Sequence, residues 1–227
     1  MAVRTPAEAV AWAKIMVKNM PFDTATFKSV MCDKVMGHIW QMAPWVWSVA
    51  PLEVVDLAAN VSEYTLVTPP NDLLYLLTAN VADSAGNLGE DLKVVSKLPS
   101  TITQVGPPSQ VAYEGTSKIR VFPKPPTGYS KKLVSLYKKT RTPITDANIA
   151  NNASLSGTPD EWFHVFMEGV LWQAYLYGDD PRAGSAVTAG GQIQYSGQLG
   201  VFMSAIEEMK RAEKALYQFP GVVIPRG

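Results

Sequence analysis

The sequence has 227 residues, 47% of them apolar and only 18% charged, enough material for one large domain or two small ones with a sizeable core. Its 20 basic and 20 acidic residues cancel, which argues against a general attraction to nucleic acid, and its single cysteine, Cys32, rules out an intrachain disulfide and a cysteine-based zinc site. No basic segment followed by an apolar run opens the sequence and no stretch of about 18 apolar residues occurs in it, so neither secretion nor a membrane-spanning helix is expected.

Thr5-Pro6 reads as the start of a first helix, with Thr5 as N-cap, Pro6 at the first helical position and Glu8 in the first turn. Val10, Ala13, Ile15, Met16 and Val17 give this helix its apolar face, and Asn19-Met20-Pro21 ends it. A second helix is predicted from about Asp23-Thr24 to Ala43, with Phe27, Val30, Met31, Val35, Ile39 and Met42 recurring at three- and four-residue steps.

From Pro51 the period of the apolar residues changes to two. Leu52 to Leu57, Val61 to Val67 and Leu73 to Val81 are predicted strands, and Ser84 to Asn87 is a predicted turn. Lys93 to Gly106 carries no clear period, and Pro99, Pro107 and Pro108 suggest a loop. Gln110 to Tyr113, Lys118 to Phe122 and Lys132 to Tyr137 are predicted strands, the first two joined by a tight turn at Glu114-Gly115-Thr116.

After a polar connection, Thr158-Pro-Asp-Glu161 reads as a capping box opening a helix to Tyr177, with Gly178 as a left-handed C-cap. Asp180-Pro181 is expected to start a last long helix to about Tyr217, packed antiparallel to its predecessor. Gly190-Gly191 marks a kink or break in it, or else a close helix contact over small residues. Leu199, Phe202, Met203, Ile206, Met209 and Leu216 are its expected buried face; Glu207, Glu208, Lys210, Arg211 and Lys214 are its solvated one.

The segment Phe219-Pro220-Gly221-Val222-Val223-Ile224-Pro225-Arg226-Gly227 is apolar and flanked by prolines, so it cannot continue the helix. It either folds back on the core or docks on a neighbouring chain as an added strand. The expected fold class is therefore α+β. An antiparallel helical bundle forms from residues 1–50 and 150–217, an antiparallel β-sheet or sandwich domain is inserted over 51–149, and an extended docking tail covers 218–227.

Charge is unevenly distributed. From Gln41 to Leu92 there is no Lys or Arg but there are Glu53, Asp56 and Glu63 among the acids, whereas from Thr116 to Thr145 there is no Asp or Glu but there are Lys131, Lys132, Lys138, Lys139 and Arg141 among the bases. These blocks are either two solvated sets of strand edges in one sheet or complementary surfaces that join neighbouring subunits head to tail.

Candidate chemistry is sparse, and an enzyme is not expected. His38 lies six residues after Cys32 on one predicted helix, about 240° round its axis, so the two cannot pair as base and nucleophile. His164 sits among aromatics near a helix start. Gly190 to Gly197 lacks the lysine and preceding strand of a phosphate loop. The close acid pairs Asp160-Glu161 and Asp179-Asp180 are explained as helix caps, which leaves little for a glycoside hydrolase. Trp40, Trp45 and Trp47 form either core or a sugar-binding platform. No cofactor and no metal site is expected.

Taken in order, several pieces resemble a known family. Tyr64-Thr-Leu66, Pro70 and Asp72-Leu73-Leu74 come first; then Tyr113-x-Gly115 and Ile119-x-Val121-x-Pro123-x-Pro125; then Leu133-x-x-Leu136-Tyr137 with Pro143. Pro159, Gly169-Val170-Leu171-x-x-Ala174-Tyr175 and Asp179-Asp180-Pro181-Arg182-Ala183 complete the series, which spans roughly residues 5 to 217. It is similar to the head-to-tail adaptor of short-tailed phages, also called tail tubular protein A. The stretch from Pro99 to Pro108 and the glycines of the last helix depart from that pattern.

The resemblance implies a structural virion protein of the neck: a homo-oligomeric ring of twelve copies between the portal protein and the tail nozzle or other tail proteins. DNA would pass through its lumen unread, and no membrane is involved. Assembly would take place in the host cytoplasm. In many neck adaptors the C-terminal tail slots into the portal, which would give Phe219 to Gly227 their docking place. The alternatives carried beside it are a receptor- or glycan-binding tail module and an adaptor with weak peptidoglycan hydrolase activity.

Overall fold

The computed structural model describes residues 4–17, 25–115 and 117–217. Val49–Thr140 forms one compact unit, and the described residues on either side, through Ser48 and from Arg141 on, form the other.

The first unit contains the described α-helices: α1 (Pro6–Met16), α2 (Ala25–Met42), α3 (Phe163–Tyr177) and α4 (Gly197–Tyr217). The start of α1 follows from its sequence. Thr5 Oγ1 accepts the Glu8 N–H and the Glu8 carboxylate accepts the Thr5 N–H, both at 3.3 Å, a complete capping box with Pro6 in the first turn. Val10, Ala13 and Val17 are buried, whereas Ile15 and Met16 point to solvent. On α2, Met31, Val35 and Ile39 are buried and Val30 is exposed. The predicted starts of that helix at Asp23-Thr24 lie outside the described residues.

α3 is the centre of the unit, packed against α1, α2 and α4. It does not begin with a capping box. The Thr158 hydroxyl is taken by the Leu155 carbonyl (2.6 Å), Asp160–Trp162 is a 3₁₀ turn, and the α-helix starts only at Phe163. At its other end Gly178 keeps a negative φ of −79° and Asp179 takes the left-handed position at φ 51°, a conformation a short polar side chain tolerates.

The predicted helix from Asp180 to the glycine pair does not form. Pro181–Ala183 is one 3₁₀ turn, and a hairpin follows it: β9 (Ala186–Ala189) and β10 (Gln192–Tyr195), numbered after the strands of the other unit. Gly190 and Gly191 form its two-residue turn at φ 59° and 78°, a left-handed conformation that favours glycine at both positions. The break expected at this pair is thus a complete hairpin, and α4 begins beyond it. In α4, Phe202, Met203, Ile206 and Met209 are buried while Glu207, Glu208, Arg211 and Lys214 are exposed, as the period requires.

The second unit contains β1 (Val49–Pro51), β2 (Val55–Asp56), β3 (Glu63–Thr65), β4 (Leu73–Ala82), β5 (Leu88–Val94), β6 (Gln110–Glu114), β7 (Lys118–Phe122) and β8 (Lys132–Lys139). They form one sheet in the order β1-β8-β4-β5-β6-β7-β3, with β2 also paired to β8.

This overturns the expected fold class. The chain is built on a curled, mixed sheet whose seven-strand path makes a half-barrel, together with four helices; it is not a helical bundle with an inserted antiparallel sheet or sandwich. The sheet is mixed because β5 and β6 run parallel, Lys93 beside Gln110 and Val94 beside Val111. Parallel neighbours need a long crossover, and residues 95–109 provide it. β5 carries no alternating signal, since only Leu92 of its residues is buried. Leu76, Val81, Val111, Ile119, Val121 and Leu133, all buried, belong to one core cluster of the sheet.

Candidate assembly surfaces

The acidic and basic blocks meet first within the chain. In the β3–β7 register Glu63 lies opposite Arg120, and its carboxylate takes the Lys118 ammonium at 2.6 Å with Arg120 Nε 3.9 Å away. The Lys118 hydrogen bond holds the Glu63 carboxyl below its ordinary range. Asp56 lies opposite Lys132 in the β2–β8 register, 3.7 Å from its ammonium. Glu53 is a loop clamp: its carboxylate accepts the Val67 and Thr68 N–H groups at 3.1 and 2.8 Å and the Thr68 hydroxyl, which lowers its pKa. Lys131 lies over the Tyr129 ring, 5.6 Å from its centre.

Arg141 is half-buried and engaged within its own unit. Lys138 is buried. Arg141 grips Asp33 of α2 with both guanidinium nitrogens, Nη2 to Oδ2 at 2.7 Å, while Ile144 N–H donates to the same carboxylate. That fork keeps the Asp33 carboxyl below the usual aspartate range. Lys139 is half-buried on β8, beside Leu73 of β4. The tail residues Phe219, Pro220, Val222, Val223, Ile224, Pro225 and Arg226 lie outside the described residues.

Sequence reasoning missed Arg120. Buried at 7% exposure, it donates to both Glu114 carboxylate oxygens at 3.3 Å and to the Pro99 and Ser100 carbonyls at 2.7 and 3.1 Å. Glu114 also accepts the Leu98 N–H. The Arg120–Glu114 pair thus ties residues 98–100 to the sheet, Gly106 and Gln104 are held by backbone hydrogen bonds to Lys124, and Leu98 and Ile102 pack on Ala112. An arginine in a strand of alternating apolar residues was the available signal.

Of the groups weighed for catalysis, Cys32 and His38 are packed among other side chains, and His164 is exposed. The Cys32 thiol is buried, its pKa pushed up to about 12 by burial and by Asp33, so thiolate chemistry near neutral pH is closed to it. His38 packs beside the stacked Trp172 and Phe202 rings, their centres 6.0 and 5.6 Å away, and desolvation lowers its pKa. His164 Nδ1 faces the Glu161 carbonyl at 2.9 Å. Asp180 caps the Arg182 N–H and pairs with its guanidinium. Trp45 Nε1 donates to the Ile39 carbonyl, its ring stacks on Trp47 at 6.1 Å and 3°, and Trp40 meets Trp47 edge-on. With Trp40 and Trp45 buried, the cluster is core and offers no flat aromatic platform to a sugar.

Among the described residues no group of His, Cys, Asp and Glu is arranged to hold a metal ion, and no helix is long and apolar enough to cross a membrane. A groove of about 840 Å³ runs beside α4, lined by Met42, Tyr195, Met203, Glu207, Lys210 and Arg211. Its Lys210 is already paired with Glu207 at 2.6 Å, which is the arrangement of a solvated helix face.

Compared with known proteins, the sequence matches the model of one family, described as SU10 adaptor protein, over residues 39–223. No curated protein matches it.

Proposed function

The chain belongs to the SU10 adaptor protein family, a family of phage adaptors, and from that premise we propose that it is the head-to-tail adaptor of a tailed phage, of the tail tubular protein A kind. As a phage adaptor it is a structural component of the virion and binds other virion proteins. The finer reading is a ring, of twelve copies as in the adaptors it resembles, that joins the portal to the tail nozzle. DNA leaves through the lumen, the ring assembles in the host cytoplasm, and the protein catalyses nothing.

The family match over residues 39–223 carries this reading. Two features support it. The chain is poor in charge, at 18%, so burial against further copies completes its surface. Several of its ionisable side chains are engaged within the chain, Glu53 with Thr68 and Arg141 with Asp33 among them. Many weak contacts repeated by symmetry suffice to close a ring.

Native mass measurement of the full chain, with and without purified portal, tests it. A closed ring and a stoichiometric complex with portal are expected. A monomer at assembly concentrations that ignores portal would overturn the reading.

A further inference from the structure

The β9–β10 hairpin has no third strand: Ala186–Ala189 pairs with Gln192–Tyr195 and, among the described residues, with nothing else. All eight strand residues are exposed, Val187 at 56% and Ile193 at 60%. A lone two-stranded ribbon is marginal in water. Yet its foot is firmly held: Ser185 N–H donates to Ser196 Oγ at 3.0 Å, Ser196 N–H to the Ser185 carbonyl at 2.9 Å, and Gly184 packs against Gly197.

The pairing also tells which backbone groups are unused. The Ser185–Ser196 pair is hydrogen-bonded, and bonded pairs alternate along an antiparallel ribbon. Val187–Gln194 and Ala189–Gln192 are therefore bonded pairs, while Ala186 and Thr188 on one edge, and Ile193 on the other, turn N–H and C=O outward; the Tyr195 carbonyl faces Gly200 of α4. Exposed edges are normally protected by charge or proline. From Gly184 to Ile206 the chain contains no Asp, Glu, Lys, Arg or Pro. Such an edge offers nothing to phosphates and is a template for an uncharged, extended peptide.

We propose that Val222-Val223-Ile224 of one copy adds as a third strand to a free edge of this hairpin on a second copy. The proposal rests on the adaptor reading, in which copies stand side by side. Three consecutive β-branched residues supply the strand preference, and their side chains pair with Val187 or Ile193 across the new ladder. Chain length favours a second copy as the acceptor. The 21 residues of α4 carry Tyr217 about 30 Å from the hairpin foot. Val222 to Ile224 follow Tyr217 by five to seven residues, a reach of at most about 25 Å.

Disulfide trapping between two full-length variants tests this, since the native Cys32 is buried. Val223→Cys mixed with Thr188→Cys or Ile193→Cys is expected to give the crossed dimer on oxidation, at least tenfold above Val223→Cys mixed with a Lys97→Cys control. Val223→Pro alone, and Thr188→Pro combined with Ile193→Pro, should each weaken self-association in sedimentation at least tenfold, and all three together no further. A crossed yield equal to the control overturns the proposal, as does a cross-link within one monomer carrying both cysteines. Trapping of Val223→Cys on portal instead also overturns it and leaves the adaptor reading standing. Failure of the wild-type chain to form rings or bind portal brings down both.

Discussion

Gly184 and Gly197 meet backbone to backbone at the foot of the β9–β10 hairpin. A Cβ built on Gly184 would lie 1.9 Å from the Ser196 carbonyl oxygen and 2.8 Å from the Gly197 Cα, and one on Gly197 would lie 2.7 Å from the Arg182 carbonyl oxygen. Both glycines have positive φ, 77° and 56°. Strain and overlap therefore act together at both positions. Gly184→Ala or Gly197→Ala is expected to cost about 2–4 kcal/mol in urea unfolding. Gly190→Ala, at positive φ but in open space, should cost only about 1 kcal/mol.

A different glycine sets the spacing of the helices. The Cβ of an alanine at Gly169 would fall 2.4 Å from Val35 Cγ1 of α2 and 2.8 Å from Phe202 Cε2 of α4. Alanine favours a helix by about 1 kcal/mol over glycine, but overpacking outweighs it, and Gly169→Ala should lose about 1–3 kcal/mol net. The partner change Val35→Ala removes the closer clash. In a double-mutant cycle the pair is expected to be less destabilised than the sum of its parts.

Arg120→Met keeps the length of the side chain but leaves the Glu114 carboxylate without its charge partner and takes the Arg120 donor from the Pro99 and Ser100 carbonyls. Removing one partner of a largely buried ion pair should cost about 2–4 kcal/mol. Urea midpoints give the magnitude. Faster limited proteolysis between Leu98 and Pro108 gives the place, since that crossover is what the guanidinium ties down.

Asp33 provides a pH dependence. Its folded pKa is depressed by Arg141 below the unfolded value of about 3.9, so its contribution is fully present above that value and is lost as pH falls through the folded pKa. Asp33→Asn should be less stable than wild type at pH 7, and the gap should narrow progressively below about pH 4. A gap that stays constant down to pH 2 would remove the Asp33–Arg141 pair from the acid limb.

What could be read directly in the sequence was local. The Thr5–Glu8 cap, the buried stripe of α4, strands β4, β6, β7 and β8, and the resemblance to an adaptor all follow from residue type and short-range period, because caps, helix faces and strand alternation are settled within a few residues. The hairpin behind Gly190-Gly191 was half visible, as a break without its strands.

Tertiary structure alone decided the rest. β5 is a strand because its neighbours supply its ladder, although only Leu92 is buried in it, and the parallel β5–β6 pair depends on where a 15-residue crossover returns. Mixed pairing makes the sheet a curled half-barrel instead of a sandwich or an insert in a bundle. The opposed charge blocks could be counted in the sequence, but only register brings Glu63 to Arg120 and Asp56 to Lys132. Pairing across many residues is an energy of contacts between distant segments, and no local preference encodes which distant segment will be the partner.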